Sequence, residues 1–231
     1  LDAAIIKARF DPEVHVLVVT GAGDKFFCAG ADISMLKGAD PVFKYNFCLH
    51  ANETISRLEQ TPKLVIGALN GHCVGGGLEV ALACDIRIAR KGRGKCGLPE
   101  VKLGVLPGTG GTQRLTRVVG KARAIELMVT GATFGFEKAQ ELGLVNDVWE
   151  TETIDDFQAK IREYAVKFTP PHAASQAVGL IKRACQAGGD LSLQDGLAIE
   201  RELQQRLFTG NDAGEGIAAY IEKRKAAFSG T

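Results

Sequence analysis

Residues 69–89 read LNGHCVGGGLEVALACDIRIA, and within them Gly75-Gly76-Gly77-Leu78-Glu79 governs the reading of the whole chain. Consecutive glycines leave main-chain N–H groups open to close approach, because no Cβ shields them. A helix starting there points its unpaired N–H groups and the positive end of its dipole at whatever sits in front. That favours an anion, or an oxygen that gains negative charge during a reaction. Glu79 falls in the first turn of such a helix, where a carboxylate is favoured and tends to stay ionised, so it is a candidate base. The competing reading is a tight glycine turn before a core helix, with Glu79 an ordinary N-terminal charge.

A second segment follows the same logic. Val14 to Thr20 (VHVLVVT) is β-branched and reads as a buried strand. It runs into Gly21-Ala22-Gly23-Asp24 and then Phe26-Phe27-Cys28-Ala29-Gly30-Ala31-Asp32, where small residues let another backbone N–H approach a ligand. A dinucleotide fingerprint is absent, since Phe26 occupies the third glycine position. A phosphate loop is absent too: Leu115 stands where Gly120-Lys121 would need an upstream glycine, and Ala122 replaces Ser or Thr.

A third segment joins Gly97-Leu98-Pro99-Glu100 to Gly104-Val105-Leu106-Pro107-Gly108-Thr109-Gly110-Gly111-Thr112-Gln113-Arg114. The proline disfavours helix at Leu98, so Glu100 is expected on a short ordered turn. Its alternative role is a surface carboxylate paired with Lys102 or Arg114.

Together these segments resemble the crotonase superfamily, and within it the enoyl-CoA hydratases most closely. The resemblance runs from VLVVTGAG through FCAGADIS, LNGHCVGGGLEVALACDIRIA and GLPEVKLGVLPGTGGTQRL to the C-terminal GIAAYIEKRKAAF. It implies an α/β fold, a spiral of ββα units followed by a C-terminal helical trimerisation region. The expected division is 1–168 for the spiral core and 169–231 for the oligomerisation helices.

The resemblance also assigns roles. It implies that the Ala31 and Gly76 N–H groups form an oxyanion hole for the thioester oxygen of an acyl-CoA. Glu79 activates the attacking water and Glu100 delivers the proton to C2. Ala29, Asp32, Ile33 and Gly108 are implied as substrate-binding positions, while Asp85 and Arg114 are read as structural, at a helix end and a subunit contact. The implied reaction is reversible syn hydration of a trans-2-enoyl-CoA to the 3-hydroxyacyl-CoA. Retention of both glutamates favours this over the related Δ3-Δ2-enoyl-CoA isomerases, which often keep only the second one. No cofactor or metal is expected, acyl-CoA being the substrate. A homotrimer, or a hexamer of two trimers, is implied as the assembly, in a bacterial cytoplasm or a mitochondrial or peroxisomal matrix. The family pattern has a further strand, an Asn-Arg-Pro type turn and a CoA-gripping loop ahead of the point where this chain starts, about twenty residues by ordinary element lengths.

Composition agrees with an ordinary globular enzyme. The chain has 231 residues and a formal net charge of +1, which gives no support to bulk nucleic-acid or membrane attraction. Its six cysteines show no paired metal spacing and read as reduced, mostly buried thiols. The four histidines are dispersed, and His72 reads as a packed structural residue. Arg87, Arg90, Lys91, Arg93 and Lys95 form a basic cluster, read as solvated or as touching a CoA phosphate. An RNA-binding or non-catalytic relative remains the alternative class, but no aromatic residue interleaves this cluster as stacking would need.

Strands are expected at Val14–Thr20, Leu64–Leu69, Ile86–Ala89 and Leu144–Val148. Phe43, Phe47, Ala51, Ile55 and Leu58 share one face of an amphipathic helix. Further helices are expected at Lys121–Thr130, Glu137–Leu142, Ile154–Phe168, His172–Ala187, Leu191–Leu207 and Ala213–Phe228. Met35, Leu36, Phe134 and Phe136 are candidates for an acyl pocket or for core. Glu222-Lys223-Arg224-Lys225 reads as a solvated helix face or a cationic contact for a CoA phosphate or a neighbouring subunit.

Overall fold

The computed structural model describes residues 1–231. In chain order it comprises α1 (Asp2–Phe10), β1 (Val16–Thr20), β2 (Phe26–Cys28), α2 (Ile33–Leu36), α3 (Pro41–Glu59), β3 (Leu64–Leu69), β4 (His72–Val74) and α4 (Gly76–Leu82). Next come β5 (Ile86–Arg90), β6 (Lys95–Gly97), a 3-10 turn (Glu100–Leu103), α5 (Gly111–Val119), α6 (Lys121–Thr130), β7 (Thr133–Gly135), α7 (Phe136–Glu141) and β8 (Asp147–Trp149). The helices α8 (Ile154–Val166), α9 (Ser175–Gly188), α10 (Leu193–Leu207) and α11 (Asn211–Glu222) complete it.

The strands form two four-stranded sheets, ordered β1-β3-β5-β8 and β2-β4-β6-β7. Strands β1 to β6 therefore alternate between the sheets, which is the signature of a ββα spiral, while β6 and β7 are neighbours in one sheet. The pairings β3–β5, β5–β8, β2–β4 and β4–β6 are parallel, and β6–β7 is antiparallel. Every residue of β3 (LVIGAL) is buried, as expected for a continuous apolar run in a parallel sheet covered on both faces.

Corners of the spiral are pinned by polar side chains. Asn70, fully buried just after β3, accepts from the Gly21 N–H at 2.9 Å and donates to the Gly23 carbonyl at 2.8 Å and the Phe26 carbonyl at 3.2 Å. One amide thus satisfies the turn between β1 and β2 and fixes where the Cys28–Asp32 segment emerges. Asp85 accepts from the Val65 N–H at 2.7 Å, tying the β5 entrance to β3.

The chain divides into two compact units. The first contains Leu1–Asp2, Val18–Glu59 and Val65–Lys160, and the second Ala3–Leu17, Gln60–Leu64 and Ile161–Thr231. The core of the first gathers Phe27, Leu69, Leu78, Leu82, Leu98, Leu115, Phe136 and Leu144. In the second, the Lys63 ammonium donates to the carbonyls of Ala8 (2.6 Å) and Asp11 (2.5 Å), and buried Lys182 donates to the Lys63 carbonyl. No helix is long and apolar enough to cross a membrane.

Several expectations are corrected. The last strand is Asp147–Trp149, since Leu144 and Val145 are core residues that precede it. The apolar face of α3 deepens toward its C-terminal end: Ile55 and Leu58 are buried, but Phe43 is exposed. Helix α11 stops at Glu222 because Lys223 takes a left-handed conformation (φ 56°). Glu215 then accepts from both the Arg224 guanidinium and the Ala227 N–H, turning the chain back, so residues 224–228 are not helical. Of the basic cluster, Arg87 and Arg90 are buried and serve as internal donors. Arg87 satisfies the carbonyls of Leu144 and Cys84, and Arg90 that of Glu152. Phe136 is wholly buried core, and Cys185 is an exposed thiol.

Candidate active site

Three of the quoted segments meet in the first unit. Gly75 ends β4 with φ 58° and caps α4, so its backbone sits in a region that other residues rarely adopt. Gly76 opens α4, and its N–H is one of those with no partner inside a helix. The Ala29–Asp32 segment runs alongside. A Cβ on Gly76 would stand 3.1 Å from Gly30 Cα and 3.8 Å from Ala31 N, and one on Gly30 would stand 2.9 Å from Gly76 N. Only glycines allow this approach, and it brings the Ala31 and Gly76 amides side by side.

Glu79, in the first turn of α4, is 2 % exposed. Its Oε1 accepts from the N–H groups of Gly111 at 2.7 Å and Thr109 at 2.8 Å, and its Oε2 accepts from the Thr109 hydroxyl. The loop that supplies these donors depends on Gly110 (φ 109°) and on Gly111, where a Cβ would meet Pro107, Leu98 and Glu79 Oε1 at 3.0 Å or less. Two further clamps hold the loop. Asn52 of α3 donates to the Gly108 carbonyl at 3.3 Å, and Arg114 of α5 forms an ion pair with Glu59 at 2.7 Å while reaching the Thr109 carbonyl at 3.5 Å. Arg114 and Glu59 make this contact within one chain.

Glu100 is the first residue of the 3-10 turn, which Gly104 closes with φ 73°. A Cβ on Gly75 would stand 3.2 Å from Glu100 Oε1. Buried Oε2 has no hydrogen-bond partner, and neither Lys102 nor Arg114 pairs with Glu100. The glycine segment thus has Glu100 against Gly75 and Glu79 Oε2 against Gly76, the latter 3.8 Å from a Cβ built there.

Burial raises the proton affinity of Glu79, against the opposing pull of the Gly111 and Thr109 N–H groups and the positive charges of Arg114 and Lys44. This corrects the expectation that a helix N-terminus keeps Glu79 readily ionised: desolvation outweighs the donors. Glu100 is raised by burial first, with a further contribution from the charge of Glu79. Two carboxyl groups with raised proton affinity, one of them feeling the charge of the other, beside paired amides are equipped to take and give protons.

The remaining expected positions are placed as follows. Ala29 is exposed, its carbonyl 3.9 Å from the Cβ position of Gly75. Asp32 caps α2, accepting from the Ser34 N–H at 2.8 Å and hydroxyl at 2.7 Å, so its carboxylate is occupied locally. Ile33 is 62 % exposed. Gly108 lies in the loop beside Glu79, where a Cβ would stand 3.0 Å from Cys48 Sγ. His72 accepts from the Lys95 N–H and lies against Phe26, a packed structural residue as expected. Thr109, Asn52 and Lys44 were not singled out in the sequence; only the Pro-Gly-Thr-Gly-Gly run signalled that this loop approaches something closely.

The family model for enoyl-CoA hydratase/isomerase matches residues 1–231. The chain belongs to this family. Among relatives in the family, the short-chain-enoyl-CoA hydratase of Clostridium acetobutylicum is 39 % identical over 225 residues, 97 % of this chain and 84 % of that protein. The crotonyl-CoA hydratase of Syntrophomonas wolfei is 36 % identical with the same two coverages. The crystal structure of the enoyl-CoA hydratase from Geobacillus kaustophilus superposes with a TM-score of 0.94 at 46 % identity, covering 100 % of this chain and 85 % of that one. The spiral expected from the sequence is thus the fold shared with these relatives.

Proposed function

We propose that the protein is an enoyl-CoA hydratase, adding water reversibly and syn across the C2=C3 bond of a trans-2-enoyl-CoA. The observation that carries this reading is the asymmetry of the two carboxyl groups flanking Gly75-Gly76. Glu79 is held by donors on both oxygens, as suits a base that must orient a water, whereas Glu100 Oε2 is buried without a partner. In this reading the thioester oxygen lies on the Ala31 and Gly76 N–H groups. One such donor supplies about 2.7–4 kcal/mol of transition-state stabilisation in comparable sites. Glu79 takes a proton from water as its oxygen bonds to C3, and Glu100 gives its proton to C2. Each proton transfer contributes roughly 10²–10⁴-fold. The chain's own donors and carboxyl groups supply every step, so the reaction calls for no metal or redox cofactor.

A second activity is favoured by the free Oε2 of Glu100: shuttling one proton along a 3-enoyl chain, the isomerase reaction. The relatives' names support an acyl-CoA substrate of short chain. The proposed assembly is a trimer or a pair of trimers through the C-terminal helices. Exposed Tyr220 (87 %) and Ile221 (72 %) on α11 are the side chains we assign to that contact. Sedimentation tests it, a monomer contradicting the assignment.

Crotonyl-CoA in heavy water tests the reaction itself. The expected product is 3-hydroxybutyryl-CoA with one deuterium at C2. Failure to consume any 2-enoyl-CoA across a chain-length series overturns the reading.

A further inference from the structure

The Thr109 side chain touches the oxygen of Glu79 that faces the oxyanion segment. Oε1 is committed to the Thr109 and Gly111 N–H groups on the loop side. Oε2 is the atom directed at Gly76, 3.8 Å from a Cβ built there, and its one hydrogen-bond partner is the Thr109 hydroxyl. Thr109 therefore holds both oxygens of one buried carboxyl group, Oε1 by its backbone and Oε2 by its side chain.

We propose that the Thr109 hydroxyl is a positioning residue for hydration: it fixes Glu79 Oε2 as the oxygen that receives the proton of the attacking water. This rests on the hydratase reading above. A backbone N–H only donates, so it fits a carboxylate and not the carboxylic acid that follows proton transfer. A hydroxyl rotates, donating to the carboxylate and accepting from the acid. Glu79, at 2 % exposure, can thus change charge without leaving a buried oxygen or proton unpartnered. Other charged groups act on the same carboxyl group from neighbouring elements, Lys44 on α3 and Arg114 on α5, and Glu100 on the 3-10 turn feels the charge of Glu79 in its turn. All remain in place when only the hydroxyl is removed.

The test compares Thr109→Val, which keeps the backbone N–H and the side-chain volume, with Thr109→Ser, which restores the hydroxyl. Thr109→Val is expected to lower kcat for crotonyl-CoA by about 10- to 100-fold with KM little changed, the loss of one charge-assisted hydrogen bond. Removing a donor to the carboxylate raises the proton affinity of Glu79, so the acid limb of the kcat profile moves to higher pH by about one unit. Thr109→Ser is expected to recover most of the rate and the original profile.

A second readout is independent of turnover. Carbon-13 glutamate labelling, with the Glu79 signal assigned from Glu79→Gln, is expected to show a higher titration midpoint in Thr109→Val than in wild type. An unmoved midpoint overturns the inference whether or not the protein hydrates crotonyl-CoA. So does a Thr109→Ser variant that behaves like Thr109→Val, since the hydroxyl is then not the operative group. Absence of hydration by wild type with a shifted midpoint sinks the hydratase reading and leaves the hydroxyl's hold on Oε2 standing.

Discussion

Glu100 senses the charge of Glu79, yet the two are furnished in opposite ways: Glu79 receives two N–H groups and a hydroxyl, while Glu100 Oε2 receives nothing from the chain. The same glycine segment lies against both. Its lack of side chains is what lets Glu100 Oε1 approach Gly75 and Glu79 Oε2 approach Gly76. A single stretch of backbone thereby sets the spacing of two groups with different work to do.

The unpartnered oxygen gives Glu100 a stability signature. Its folded-state proton affinity lies above the ordinary glutamate value of 4.5. Below that value the folded and unfolded chains both carry the proton, and no penalty arises. As pH rises from there to the folded-state value, the unfolded chain releases a proton that the folded chain retains, so stability falls. Glu100→Gln is therefore expected to stabilise the fold by about 1 kcal/mol at pH 8, with the gain disappearing near pH 4. Urea unfolding at the two pH values measures it. An equal gain at both would show that ionisation is not its origin.

Arg114 is expected to matter through the loop it restrains. Its guanidinium is 13 % exposed and holds Glu59, itself 33 % exposed, through two nitrogens. This lies between the exposed and buried extremes of ion pairs, so Arg114→Ala should cost about 1–2 kcal/mol. For a chain of this size that lowers Tm by roughly 2–8 °C. Calorimetry checks the loss. Glu59→Gln should show part of it, and the double variant little more than Arg114→Ala alone.

Glycine substitutions separate two roles that the sequence does not distinguish. A Cβ on Gly77 would collide with the Cys28 carbonyl, part of the neighbouring backbone, so something must shift. Gly77→Ala is expected to destabilise by about 1–3 kcal/mol and to lower kcat by disturbing the Cys28–Ala31 path. Gly214, on α11, has open space around it. Gly214→Ala is expected to stabilise by about 0.5–1 kcal/mol through helix propensity. Thermal melts of the pair decide the point, and a Gly77→Ala protein as stable as wild type contradicts it.

Much of this architecture was legible because it is written in local pattern. β3 matches its expected bounds, Leu64–Leu69, since an unbroken apolar run buried on both faces leaves little choice. α6 matches at Lys121–Thr130, bounded by Gly120 and Gly131, both with positive φ. What failed was decided by contacts between distant residues. Arg87 and Arg90 read as a surface cluster because arginine is rarely buried, but the carbonyls that satisfy them lie at Leu144 and Glu152. The apolar pattern of Ala226, Ala227 and Phe228 continues α11 in sequence, while the Glu215–Arg224 ion pair and the Ala227 N–H turn the chain away. Spacing alone did not bring Glu79 and Glu100 into one pocket; resemblance implied it, and the corner fixed by Asn70 is one of the contacts that builds it. The hydroxyl of Thr109 was missed because a threonine in a glycine loop carries no signal of its orientation.

The catalytic role of the two carboxyl groups is tested most directly by loss of enoyl-thioester absorbance with crotonyl-CoA for wild type, Glu79→Gln and Glu100→Gln, each with its unfolding curve. Glutamine at 79 keeps an oxygen for the Thr109 and Gly111 N–H groups and offers its amide to the Thr109 hydroxyl, so the fold should persist. Wild type is expected to hydrate crotonyl-CoA, and each variant to be slower by about 10²–10⁴-fold while remaining folded. Glu100→Gln should also abolish turnover of a 3-enoyl-CoA. Near-wild-type hydration by either folded variant would contradict the central claim that this pair of carboxyl groups carries the reaction.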